Sequence, residues 1–281
     1  MPDAILPTDA ILQPDLLLRH DADGIATLAL NAPASLNALS DAMLSALTAE
    51  FTALAADPAI RVIILQGAGR AFCAGHDLKE MLAARAAPDK GAAYFADLFT
   101  RCATMMQMIP ALPQPVIASV HGIASAAGCQ LAASCDIVVA ADTARFGVNG
   151  VNIGLFCSTP MVALTRKIPP AVAFEMLVTG EFITAARARE VGLVNRIAAE
   201  GKLESETLAL ARSIAGKLTA AVQIGKRAFH DQLGLPLADA YALTGAVMQD
   251  NMLWSDTDEG IAAFLEKRTP DWPDRDDPMN T

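Results

Sequence analysis

The run Arg70-Ala71-Phe72-Cys73-Ala74-Gly75-His76-Asp77-Leu78-Lys79-Glu80 follows an apolar stretch, Val62-Ile63-Ile64-Leu65, that reads as a buried strand. Further along, His121-Gly122-Ile123-Ala124-Ser125-Ala126-Ala127-Gly128-Cys129-Gln130-Leu131 follows a second such stretch, Val116–Val120. Junctions built of Ala, Gly and Cys let backbone N–H groups approach a ligand with no side chain in the way. The chemistry they suit is therefore carried by peptide donors. Gly67-Ala68-Gly69 also follows a strand, as in a dinucleotide-binding loop. However, Phe72 occupies the third glycine position, and no acidic residue closes a second strand about twenty residues on. The loop is read as a turn into the 70–80 segment.

The elements that must hold these junctions follow from pattern. Leu16–Arg19 and Gly24–Asn31 read as a hairpin joined through His20-Asp21-Ala22-Asp23. Ser40 is placed to cap a helix running to about Ala56, with Asp41 in its first turn. The strand Arg61–Gln66 leads into the first junction, and a helix from about Gly91 to Met108 is expected to stop before Pro110. After the strand Val116–Val120 come a short helix from Ala126 to Ser134 and a strand from Asp136 to Ala141. Beyond Gly154 the pattern is helical, near 160–168, 170–178, 184–191, 203–216, 219–233 and 237–266, with one strand at Leu193–Ile197. The expected organisation is a loose arm at 1–15, an α/β core at 16–200 and a helical region with a mobile tail at 201–281.

Composition narrows the class. A chain of 281 residues, 53% hydrophobic, can bury a large core, although only 5% of it is aromatic. A formal charge of −10 without a basic stripe argues against nucleic acid. Cysteines 73, 102, 129, 135 and 157 are odd in number and lack a CxxC spacing, which points to reduced thiols rather than a disulfide frame or zinc site. The acidic, proline-containing N-terminus fits neither a secretory signal nor an Arg-rich transit peptide, so a cytoplasmic location is expected. The segment from Cys102 to Cys135 lacks any Asp, Glu, Lys or Arg, but three prolines and several polar residues argue against a membrane span.

Over residues 16–268 the chain resembles the enoyl-CoA hydratase/isomerase (crotonase) superfamily. The two junctions resemble its paired oxyanion signature, and Asn31-Ala32-Pro33…Leu36-Asn37-Ala38-Leu39 resembles its early strand-to-helix motif. Cys135–Ala140 and Thr179-Gly180-Glu181…Gly192-Leu193-Val194-Asn195 resemble two later signatures. GHDLKE, AAGCQLAASCDI and GVNIGLFCSTP look closest to the branch called enoyl-CoA hydratase domain-containing protein 3. The resemblance implies a ββα spiral core with a C-terminal helical region that packs trimers, two of which stack into a hexamer. It also implies an acyl-CoA or enoyl-CoA substrate, with coenzyme A as part of the substrate and no permanently bound cofactor.

On that resemblance the peptide N–H groups of His76 and Ala127 form an oxyanion hole. Ala127 would open a helix, where its N–H has no intrahelical partner and meets the positive end of the dipole. Cys73, Ala74, Asp77 and Leu78 would contact adenine and pantetheine through their backbones. The departures concern acid/base chemistry. The position of one family glutamate is Gln130, that of the second is Gly150, and that of a catalytic aspartate in some relatives is Ser158. Hydration needs one group to activate water and another to deliver a proton at Cα, and neither Gln nor Gly does so.

The remaining pocket candidates are neutral: Asn149, Asn152, Cys157, Ser158 and Thr159. His121 reads as a satisfied turn residue, whereas the His76 side chain could face either the site or solvent. Glu175 and Glu181 read as helix-surface or helix-start groups, and Lys226 and Arg227 as a solvated helix face or contacts to CoA phosphates. The expectation is an acyl-CoA lyase or isomerase that stabilises a thioester enolate, the alternative a non-catalytic acyl-CoA-binding protein. Restoring both carboxylates, by Gln130→Glu with Gly150→Glu, is expected to raise hydration if the pocket is otherwise intact. Apolar faces at Leu203, Leu208, Leu210, Ile214, Leu243, Val247, Met248 and Leu253, with Trp254 and Phe264, are expected to meet a neighbouring subunit.

Overall fold

The computed structural model describes residues 15–272, so all but the last residue of the expected N-terminal arm, and most of the expected tail, lie outside the described residues. The chain opens with a hairpin, β1 (Leu17–Ala22) and β2 (Ile25–Leu30). The connection is shorter than the pattern suggested, because Asp23 and Gly24 both take positive φ (54° and 73°) and turn the chain in two residues. Helix α1 (Asp41–Ala55) is capped as expected, the Ser40 side chain accepting from Met43 N–H.

β3 (Val62–Gly67) is the strand before the first junction. Helices α2 (Leu78–Ala84) and α3 (Ala92–Ala111) follow. α3 runs through Pro110 instead of stopping before it. Proline falls in the last turn, where the Ile109 carbonyl is taken by the Lys226 ammonium and buried Ile109 secures the helix against the core. β4 (Val116–Val120) leads to β5 (Ile123–Ser125), α4 (Ala127–Ser134), β6 (Ile137–Ala141) and β7 (Arg145–Gly147). After these come α5 (Pro160–Lys167), α6 (Pro170–Thr179), β8 (Ile183–Thr184), α7 (Ala185–Glu190) and β9 (Arg196–Ala198). The chain ends in α8 (Leu203–Ala215), α9 (Thr219–Gln232), α10 (Leu237–Met252) and α11 (Ser255–Glu266).

Two sheets result. The larger has the order β1-β2-β3-β4-β6-β9, antiparallel only at the β1–β2 hairpin. The smaller has the order β5-β7-β8. The chain winds as a spiral: β4 enters the large sheet and β5 the small one before α4, and β6 and β7 repeat the step. The first turn contributes a single residue to the small sheet, since Cys73 bridges Ala124.

β3 shows why its sequence is apolar without alternation. Ile63 and Leu65 join one core with α1 and α3, while Val62 and Ile64 join a second core with Leu210, Ala211 and Ala215 of α8. Leu203, Leu208 and Ile214 pack against that second core as well, so much of the apolar face of α8 is covered within its own subunit. α10 and α11 behave differently. Leu253 is 78% exposed and Phe264 82% exposed, with Leu237, Tyr241, Met248 and Leu265 also open. Among the described residues no helix is long and apolar enough to cross a membrane.

Candidate active site

Asn37, buried and at positive φ, shapes the approach to the first junction. Its amide donates to the carbonyls of Ala68, Ala71 and Phe72 at 2.8, 2.8 and 3.2 Å, and its Oδ1 accepts from Ala32 N–H at 2.9 Å. One side chain thus fixes the loop between β3 and Cys73. His121 does the expected structural work, its ring nitrogen lying 2.9 Å from the Gly69 carbonyl.

The two junctions meet because consecutive turns of the spiral pair in register. Cys73 bridges Ala124, Ser125 N–H donates to Cys73 O at 2.9 Å, and three residues further along each turn stand His76 and Ala127. Gly75 (φ 95°) makes their approach possible. A Cβ there would stand 3.0 Å from Ser125 O and 3.3 Å from Ala127 N. Gly128 is pressed against Cys73 so closely that a Cβ would collide with the Cys73 carbonyl. Ala126 holds an unusual φ of 49° and ψ of −117° at the entry to α4, with no side-chain cap, which leaves the first N–H groups of that helix without intrahelical acceptors.

These residues border a cavity of about 290 Å³. Ala74, His76, Leu78, Met81 and Phe99 line it together with Ser125, Ala126 and Ala127, and most of the segment from Asn149 to Pro160 completes the lining. Ala74 and Leu78 therefore face the space, whereas Cys73 is buried behind it, its thiol pushed up to about 12 by burial. The Asp77 carboxylate caps α2, accepting from Lys79 N–H at 2.8 Å. The His76 ring takes the wall position: it packs edge-on to Phe99 with centroids 5.8 Å apart, and both ring nitrogens are buried without partners. Burial lowers its pKa, against the opposing pull of the Leu39 backbone and Asp41, so the imidazole is held neutral.

The acid/base positions fall differently. Ser158 lies on the cavity wall, its hydroxyl donating to Phe156 O at 3.4 Å. Gln130 is 4% exposed, is not among the residues lining the cavity, and has its Oε1 buried without a partner. Gly150 lines the cavity, and neighbouring atoms leave no room for a side chain there. A Cβ there would collide with the Leu155 carbonyl and stand 2.8 Å from Cys157 Sγ. Leu155 N–H donates to Gly150 O at 3.0 Å, which locks that loop. The condition attached to restoring a glutamate at 150, an otherwise intact pocket, is therefore not met: the Leu155 backbone occupies the space its Cβ would need.

No carboxylate lines the cavity among the described residues, and Glu175 and Glu181 face solvent. Nor do Lys226 and Arg227 form a cationic patch. Lys226 is 9% exposed and bonded to Asp136 at 2.7 Å, and Arg227 stands 3.8 Å from Asp231. The sequence marks no link between Ser125 and Asn149, yet the Ser125 hydroxyl donates to Asn149 Oδ1 at 2.7 Å on the cavity wall.

Comparison with known proteins agrees with this architecture. The enoyl-CoA hydratase/isomerase family model matches residues 20–275. The mouse mitochondrial enoyl-CoA hydratase domain-containing protein 3 is 43% identical over 271 residues, covering 96% of this chain and 89% of the mouse protein. The crystal structure of human enoyl-CoA hydratase domain-containing protein 3 superposes with a TM-score of 0.87 at 44% identity, over 92% of this chain and all of that one. A Mycobacterium smegmatis enoyl-CoA hydratase structure gives 0.88 at 52% identity, over 92% and 98%. The expectation of a cytoplasmic location does not survive, because the mouse, Xenopus and human relatives are named mitochondrial proteins. By sequence over nearly its whole length and by its crotonase-type fold, the chain belongs to the enoyl-CoA hydratase/isomerase family.

Proposed function

We propose that the protein binds acyl-CoA thioesters in this cavity and holds the thioester oxygen between the peptide N–H groups of His76 and Ala127, stabilising an enolate. The observation that carries the reading is the register-driven contact of the Gly75–His76 loop with the Ala126–Ala127 turn at the cavity. Preorganised donors of this kind act where charge develops, and removing one costs ~10²–10³ in rate. Ala74 and Leu78, at the cavity, and Cys73 and Asp77, through their backbones, would meet the pantetheine and adenine portions of coenzyme A. The reaction class is that of an acyl-CoA lyase or isomerase.

The wall without carboxylates favours a second reading, a protein that binds acyl-CoA without turning it over. Calorimetry with butyryl-CoA, run beside an enoyl-CoA turnover assay, separates the two. Binding tighter than millimolar supports the site, and no heat at saturating ligand refutes it. Ala127→Pro deletes one donor at the first residue of α4, a position where a helix loses no hydrogen bond to proline. It is expected to lower any turnover by about 10²–10³-fold with the far-UV CD spectrum retained. Unchanged turnover would remove Ala127 from the site.

We also propose that the exposed apolar faces of α9–α11 are covered by other copies of the chain, as a trimer or a dimer of trimers. Phe229, Leu237, Tyr241, Met248, Leu253 and Phe264 form this open surface, and a groove between α9 and α10 interrupts it. Light scattering at micromolar concentration is expected to give three or six times the 29.4 kDa chain mass. A monomer mass would refute the assembly.

A further inference from the structure

We propose that Asn149 is a specificity-determining residue that donates a hydrogen bond to an oxygen on C3 of the acyl group, so that the cavity prefers 3-hydroxyacyl or 3-oxoacyl thioesters over their C3-unsubstituted counterparts. This deepens the reading of the cavity as a thioester site and rests on it.

The geometry begins with the small sheet. Cys73 bridges Ala124, and Ala124 pairs with Phe146, so three successive turns of the spiral lie side by side. Three residues past each of these stand His76, Ala127 and Asn149. The first two remain neighbours, as the closeness of Gly75 to Ala127 N shows, and the third remains beside them, as the Ser125–Asn149 hydrogen bond shows. Asn149 follows the strand beside the one that leads to Ala127, and it lines the same cavity as His76 and Ala127.

As the amide stands, the Ser125 hydroxyl donates to Asn149 Oδ1 at 2.7 Å, and the NH₂ end is the donor left over. Nδ2 has no acceptor among the described residues, and Asn149 lines the cavity. The contrast with His76 is instructive, because both imidazole nitrogens are enclosed while the Asn149 NH₂ group is not among the enclosed unpartnered atoms. Gly150 adds no side chain to intervene, and among the described residues no carboxylate lines the cavity to compete for the donor. An oxygen on C3 is the substrate group two carbon–carbon bonds from the thioester carbonyl carbon and is an acceptor in both the hydroxy and oxo forms. Ser125 acts through Asn149 and is a positioning residue.

The test is calorimetry with butyryl-CoA and with each enantiomer of 3-hydroxybutyryl-CoA. The wild-type protein is expected to bind one 3-hydroxy enantiomer more tightly than butyryl-CoA. Asn149→Ala should narrow the preference for that 3-hydroxy ligand over butyryl-CoA roughly tenfold, a loss of one hydrogen bond. Ser125→Ala should reduce the same preference, and Ser125→Thr, which keeps the hydroxyl, should retain it. Butyryl-CoA affinity reports whether each variant keeps a folded site. If neither ligand binds the wild type, the thioester site itself is wrong and this proposal falls with it. If both bind equally, or if the preference survives in Asn149→Ala, Asn149 has no such role while the thioester site stands.

Discussion

Any hydration of crotonyl-CoA by this protein is expected to run on the order of 10⁴-fold more slowly than in a family member with two catalytic carboxylates. Each acid/base group contributes 10²–10⁴-fold, and on the family resemblance their two positions fall at Gln130 and Gly150, neither of which can move a proton. The structure strengthens that expectation, because no carboxylate on the cavity wall substitutes for them and the thiol of Cys157 is pushed upward by burial. Burial lowers the pKa of the His76 imidazole, and its nitrogens are enclosed without a hydrogen-bond partner. Adding a glutamate back is expected to fail as well. Gly150→Glu must displace the Leu155 carbonyl and the Cys157 side chain, so it should lower thermal stability and leave hydration no faster, alone or with Gln130→Glu. A fall in enoyl absorbance at the rate of an ordinary hydratase would overturn the argument. So would a clear gain in the Gly150→Glu variant, which would mean that the 150–157 loop opens at little cost.

How much of this was legible beforehand depended on element length. β3 and β4 announce themselves as apolar runs because both of their faces are buried, and α1 announces itself through the Ser40 cap. β5, β7 and β8 are three, three and two residues long, too short to carry any period, yet their pairing aligns the site. His76 and Ala127 could be picked out only by resemblance to a family. The register that joins them is a property of two strands far apart in the chain. Gly150 read as a lost carboxylate, and only coordinates could show that the Leu155 backbone had taken its space. α10 and α11 read as one helix, since nothing in composition marks the extended Trp254 between them. Lys226 was the plainest failure. A lysine beside an arginine on a late helix reads as solvated, but its partners are carbonyls 112 and 117 residues away.

That lysine defines the second large effect: Asp136→Ala is expected to cost about 3–5 kcal/mol, the range for breaking a buried pair from one side. Asp136 Oδ2 accepts from Val116 N–H and from Lys226 Nζ, both at 2.7 Å, and Oδ1 stands 2.9 Å from His230 Nε2. Lys226 completes its set with the Ile109 and Gln114 carbonyls at 2.9 and 2.8 Å. One carboxylate therefore ties the end of α3, the start of β4 and the start of β6 to α9, and so docks the C-terminal helices on the core. Removing it leaves a buried ammonium short of its counter-charge and a strand N–H without an acceptor. At roughly 2–4 °C per kcal/mol for a chain approaching this size, Tm should fall by about 10 °C. Limited proteolysis should cut first around α9–α11.

The pH dependence has a definite sign. Burial would raise the Asp136 pKa, but the His230 hydrogen bond and the Lys226 charge outweigh it and hold the carboxyl below its ordinary 3.8. Its contribution is thus complete above that ordinary value and is lost as pH falls below it. The gap in Tm between the wild type and Asp136→Ala should be full at neutral pH and narrow only in strong acid. A Tm change under about 2 °C at pH 7, or a gap that widens as the solution is acidified, would show that the carboxylate does not hold α9 to the core.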